Sequence, residues 1–76
     1  MPSFIINCLE GDACQIYFEP WGSEHTLVRG DSFLVQPAAS TVDPVEVSYV
    51  AGGISVMVLS DELPRVTNRA GAELRL

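Results

Sequence analysis

Apolar and polar side chains alternate along most of the chain in short runs, and glycine, proline or aspartate separates each run from the next. Alternation with a period of two places the apolar side chains of a strand on one face. Turn residues at intervals of about ten residues are typical of β-sandwiches and β-barrels. The sequence therefore predicts an all-β fold, either a small antiparallel sandwich or a partly open barrel, with seven to eight short strands.

The first predicted hairpin pairs Phe4–Cys8 with Cys14–Phe18 across a turn at Glu10–Asp12. A three-residue loop with a glycine that can adopt positive φ sets the register of such a pair. In that register Cys8 lies opposite Cys14. One face of the hairpin is then entirely apolar: Phe4, Ile6, Cys8, Cys14, Ile16 and Phe18.

The second predicted hairpin pairs Glu24–Val28 with Ser32–Gln36 across a similar turn at Arg29–Asp31. Proline at the second position and glycine at the fourth make Glu19–Gly22 a candidate type I turn. We expect that turn to separate the first two hairpins. The inward positions of the second hairpin are His25, Leu27, Phe33 and Val35.

A third predicted hairpin pairs Val45–Ala51 with Ile54–Ser60 across Gly52–Gly53, because glycine readily adopts the positive φ of a two-residue loop. Alternation in residues 65–76 predicts a last strand, and a short helix from Asn68 is the alternative. The inward face of the third hairpin is Val45, Val47, Tyr49, Ile54, Val56 and Val58.

The composition limits the classes of function. A chain of 76 residues, 47% hydrophobic, has room for one domain, residues 1–76, and not for a multi-domain enzyme. The net charge of −6 argues against a nucleic-acid partner and against an anionic membrane. Because so small a domain is marginally stable, we expect it to bury a face against a second copy, as a homodimer or a larger homo-oligomer.

The charges are unevenly distributed. Residues 1–63 contain nine acids and one arginine, a net charge of −8, whereas residues 64–76 contain three arginines and one glutamate, a net charge of +2. We expect this tail to dock on the acidic body of its own chain or on a neighbouring subunit.

The start of the sequence carries no positive charge, so no secretory signal is expected and we predict a cytoplasmic protein. Cys8 and Cys14 are then expected to be reduced thiols, with a cross-strand disulfide as the alternative.

The chain offers little for catalysis. No serine lies in a nucleophile elbow and the glycine pair lacks the features of a phosphate loop, so we expect neither an enzyme nor a cofactor. His25 is the single histidine. Together with Glu19 and Glu24 it supports an alternative function, a small-ligand or metal-binding module.

Two aromatic residues, Tyr17 and Trp21, are the strongest candidates for a functional surface. A tryptophan on a turn either folds back to cap the core or anchors an interface. We therefore predict a protein-interaction or self-association module with Trp21 and Tyr17 at its centre.

The segment Glu19–Gly22, followed by Glu24, Leu27 and Gly30–Phe33, resembles a group of short actinobacterial proteins of unassigned function. That resemblance implies a small bacterial β domain and supplies no catalytic residues to carry over.

The hairpin around the second Gly-Asp turn is also similar to part of a cupin barrel, which has a jelly-roll shape. A cupin metal site has a His-x-His pair with a later Glu and His, whereas this chain has His25 alone. The resemblance implies a barrel-like shape without the cupin metal chemistry.

Overall fold

The computed structural model describes residues 3–76, and this part of the chain contains seven strands and no helix. The all-β prediction is therefore confirmed. The strands are β1 (Phe4–Asn7), β2 (Ala13–Glu19), β3 (Ser23–Val28), β4 (Ser32–Gln36), β5 (Glu46–Val50), β6 (Gly53–Met57) and β7 (Arg65–Asn68).

The strands form two sheets that face each other as a small open sandwich. One sheet has the order β1-β4-β7 and is antiparallel throughout. The other has the order β3-β2-β6-β5, and its central pair, β2 and β6, runs parallel. The prediction of a purely antiparallel fold was wrong at this one pairing. The long connection between β2 and β6 allows a parallel neighbour, which a tight hairpin does not.

The first two predicted hairpins do not form. β1 pairs with β4, where Ile6 lies opposite Phe33, and β2 pairs with β3, where Ile16 lies opposite His25. The turns that were assigned to hairpins instead carry the chain from one sheet to the other. The loop at Glu19–Gly22, expected to separate two hairpins, is the true hairpin turn, and Gly22 N donates to Phe18 O at 3.0 Å.

The physical reason for this error is that alternation does not distinguish two arrangements. Two successive strands bury the same apolar positions whether they lie side by side in one sheet or face each other across a sandwich core. The glycines in the two turns do adopt positive φ, 75° at Gly11 and 86° at Gly30, but their loops join strands of different sheets.

The third hairpin is confirmed, with a different turn. β5 pairs antiparallel with β6, and Tyr49 lies opposite Ile54. The two loop residues are Ala51 and Gly52, with φ of 87° at Gly52, whereas Gly53 is the first residue of β6.

The core lies between the two sheets and forms one cluster of buried side chains. Phe18 and Phe33 connect the sheets, with ring centroids 6.5 Å apart. All but one of the buried apolar residues occupy positions that the alternation assigned to inward faces; the exception is Val66. The cluster consists of Ile6, Cys8, Ile16, Phe18, Leu27, Phe33, Val35, Val56, Val58 and Val66.

The C-terminal tail docks on the body of its own chain. After β7 it turns back, and Leu74 N donates to Val66 O at 2.8 Å, so the predicted strand forms in part and the alternative helix does not. Leu74 and Leu76 pack against the core, and Asp31 Oδ1 accepts from Arg69 N at 3.2 Å.

Charge attraction between tail and body contributes little to this docking. The ion pair Arg65–Glu73, at 2.8 Å, lies within the tail and is largely exposed. Exposed ion pairs of this kind contribute about 0–1 kcal/mol, so apolar packing and backbone hydrogen bonds hold the tail in place.

Candidate interaction surface

The two cysteines are free thiols, Cys8 buried and Cys14 half-buried. They are not cross-strand neighbours, contrary to the predicted register. Cys14 lies opposite Leu27, and the backbone of Cys8 bonds to the turn before β4, where Gly30 N donates to Cys8 O at 3.0 Å.

The residues of the metal-binding alternative do not converge. His25 points inward from β3 and contacts Phe18 edge-on, with ring centroids 6.0 Å apart. Its Nε2 lies 2.9 Å from Arg75 O. Glu24, the neighbouring residue in the strand, points outward and accepts from Gln15 Nε2 at 2.6 Å. Among residues 3–76, no group of three or more His, Cys, Asp and Glu side chains could hold a metal ion, so Glu19 does not complete a site either.

Tyr17 and Trp21, the predicted interaction residues, lie in different environments. Ile16 and Phe18 are buried in the core, so Tyr17 between them faces outward from the centre of the four-stranded sheet, half-buried. Its hydroxyl lies near Gly52 of the β5–β6 turn. Trp21 is half-buried in the β2–β3 loop and packs against the core. The role of these two residues in an interface stays a prediction.

The contact of Trp21 with the core suggests a direct test of its two possible roles. Replacing Trp21 with alanine is expected to lower the free energy of unfolding by about 1–3 kcal/mol, because part of a large apolar side chain is lost from the core. Urea unfolding followed by circular dichroism measures this, with the exposed Leu9→Ala as control. Unchanged stability together with an altered sedimentation coefficient would instead identify Trp21 as an interface anchor.

Sequence reasoning did not predict the exposed apolar side chains on β5. Val47 and Tyr49 share the inward face of their sheet with the buried Val56, yet they are 57% and 90% exposed. The three-stranded sheet therefore does not extend over β5. Three further exposed apolar side chains flank the β5–β6 hairpin in the sequence: Val42, Leu59 and Leu63.

Among the strands of residues 3–76, β5 pairs with β6 alone and is therefore also an edge strand. Its five-residue register with β6 is continuous, so no bulge interrupts it. Natural edge strands are commonly protected by lysine, proline or a bulge. The strand sequence Glu-Val-Ser-Tyr-Val contains neither lysine nor proline. We call this feature, the free edge of β5 together with Val47 and Tyr49, the β5 surface.

One cleft of about 460 Å³ lies beside the tail, lined by residues 63–65 and 73–76. Its Arg65 and Glu73 are paired with each other, which leaves Arg75 as the remaining charged side chain of the lining. In the part of the chain that the structure describes, no helix is long and apolar enough to cross a lipid bilayer.

Comparison with known proteins found no relative: no protein-family model, no curated protein and no solved structure matches the chain.

Proposed function

We propose that this protein is a non-catalytic self-association module that binds a second copy of itself through the β5 surface. The observation that carries the proposal is the exposure of Val47 and Tyr49 on a face that is otherwise the core-facing side of the sheet. A side chain of this kind gains about 1.5–3 kcal/mol when it is fully buried, so covering this face is favourable.

The edge of the strand adds directional binding to this apolar contact. An unpaired edge presents free N–H and C=O groups to which another strand can add, and the backbone hydrogen bonds then fix the position of the partner. The β5 surface therefore combines an apolar patch with a row of backbone donors and acceptors.

Both unpaired thiols support a reducing environment, and we place the protein in the cytoplasm on that basis.

Replacing Val47 with lysine tests the proposal. A lysine on an edge strand opposes strand addition, since its charge would have to be buried in the new contact. We expect the wild-type protein to dimerise at micromolar to sub-millimolar concentrations and the Val47→Lys variant to raise the dimer dissociation constant at least about tenfold. Sedimentation velocity over a concentration series measures both.

The matched control is Val28→Lys. Val28 lies on β3, the other edge of the same sheet, and its exposure of 51% is close to that of Val47. The control introduces the same charge and should leave the dimer unchanged. A wild-type protein that stays monomeric over the whole series, or equal weakening by the two lysines, would overturn the proposed function.

A further inference from the structure

The two-residue turn between β5 and β6 determines which backbone groups of β5 are free. Val50 and Gly53 flank the loop and form the closing pair of the hairpin. In a hairpin with a two-residue loop this closing pair is hydrogen-bonded, and hydrogen-bonded and non-hydrogen-bonded pairs then alternate along the ladder. Glu46, Ser48 and Val50 therefore bond to β6, whereas Val47 and Tyr49 direct their N–H and C=O groups to the free edge.

We infer that β5 pairs antiparallel with β5 of a second copy, with Ser48 on the two-fold axis. This inference rests on the proposed self-association and specifies its geometry. In this register Val47 lies opposite Tyr49 of the second copy, and the reverse pair is equivalent by symmetry. Each pair exchanges two backbone hydrogen bonds, so all the free-edge groups of Val47 and Tyr49 are satisfied.

The side chains of β5 fit this arrangement. Val47 and Tyr49 of both copies meet on the uncovered inward face, and a β-branched residue opposite an aromatic one is a favourable cross-strand pair. On the outer face Ser48 meets Ser48, and Glu46 meets Val50 of the second copy. No two like charges lie opposite each other.

Charge also distinguishes this register from its neighbours. At roughly 3.4 Å per residue, the two Glu46 residues lie four residues, or about 14 Å, apart along the strands, which exceeds the Debye length of about 8 Å at physiological salt. Pairing Val47 with itself would bring them to about 7 Å. Pairing Tyr49 with itself would place Val47 opposite Ala51, which is in the turn and no longer in the strand.

The resulting dimer joins two four-stranded sheets edge to edge. A contact made by a single short strand is smaller than the roughly 1,200–2,000 Å² of a standard stable interface. Because the contact is small, we expect a dimer dissociation constant in the micromolar range or above rather than a permanent dimer.

Cross-linking through an introduced cysteine tests the register. Two Ser48 residues in a non-hydrogen-bonded antiparallel pair have Cα atoms about 4.5 Å apart, within the range that a disulfide spans. With oxidised glutathione as the oxidant, the Ser48→Cys variant should convert almost entirely to a covalent dimer on a non-reducing gel. Thr26→Cys, an exposed outer-face position on β3, should not exceed the wild-type level that Cys8 and Cys14 produce.

A second cross-linking measurement uses the outer-face pair that flanks Ser48 in this register, Glu46 and Val50 of the second copy. Glu46→Cys and Val50→Cys should cross-link when the two variants are mixed, and each alone should remain near the wild-type level. If Val47→Lys abolishes the dimer while Ser48→Cys and this mixture cross-link no more than Thr26→Cys, the register is wrong and self-association stands. If the wild-type protein is monomeric, both proposals fail.

Discussion

Replacing Gly53 with alanine is expected to lower the free energy of unfolding by about 3 kcal/mol or more, a large part of the roughly 4–11 kcal/mol available to a domain of this size. A Cβ atom at this position would clash with the backbone oxygen of Gln15 and lie 2.9 Å from its carbonyl carbon. The clash is with the backbone of β2, which pairs directly with Gly53. The side chain therefore cannot be accommodated by a change of rotamer.

Relief of this clash requires β2 and β6 to move apart. Backbone hydrogen bonds need donor–acceptor distances of about 2.7–3.2 Å, so such a shift breaks part of the ladder between them. That ladder is the central pair of the four-stranded sheet and connects β3-β2 to β6-β5. Thermal unfolding should show a fall in Tm of more than about 12 °C.

Gly71→Ala is the matched control, because a Cβ there meets nothing within 4 Å although φ is 89°. It should cost only the conformational strain of a non-glycine residue at positive φ, about 1–2 kcal/mol. If the two variants lose the same free energy of unfolding, the close approach of Gly53 to Gln15 does not determine the cost of adding a Cβ atom at position 53.

Gly53 also shows why the sequence predicted the third hairpin but not its turn. Two consecutive glycines indicate a loop, and either can adopt positive φ. Only Gly52 is used in that way. Gly53 is glycine because a strand distant in sequence lies close to it, and no local pattern contains that information.

The inward faces of the strands were predictable because each depends on alternation within one strand. Phe18 and Val56 are buried as expected. The strand partners were not predictable, because the turns at Gly11 and Gly30 have the residues of hairpin loops but connect different sheets.

The β5 surface was not predicted, because its exposure also depends on the arrangement of elements that are distant in sequence. The alternation placed Val47 and Tyr49 on an inward face, and that placement is correct for the sheet. Their exposure depends on how far the opposite sheet extends, which is a property of the assembled sandwich. The sequence contained no signal that singles out β5, because lysine is absent from the whole chain and none of the seven strands contains proline.

Substitution of Phe18 is expected to lower the free energy of unfolding strongly, whereas substitution of Tyr49 is not. Both side chains are on the inward face of the four-stranded sheet, yet Phe18 is fully buried and Tyr49 is 90% exposed. Phe18→Ala removes the ring that contacts Phe33 across the core and is expected to cost about 3–5 kcal/mol, which leaves the domain at or near the limit of folding. Phe18→Leu, which keeps most of the apolar volume, should retain the fold.

Tyr49→Ala should change the free energy of unfolding by less than about 0.5 kcal/mol when urea unfolding is followed by Trp21 fluorescence at a protein concentration well below the measured dimer dissociation constant. The same variant should weaken the dimer in sedimentation velocity, since the proposed contact of Tyr49 with Val47 of the second copy would be lost. A large loss of stability at low concentration would show that Tyr49 belongs to the core of the monomer, and the β5 surface would then not be free to bind a partner. Loss of the dimer without loss of monomer stability would assign two roles to this face, with its covered half folding the chain and its uncovered half joining two chains.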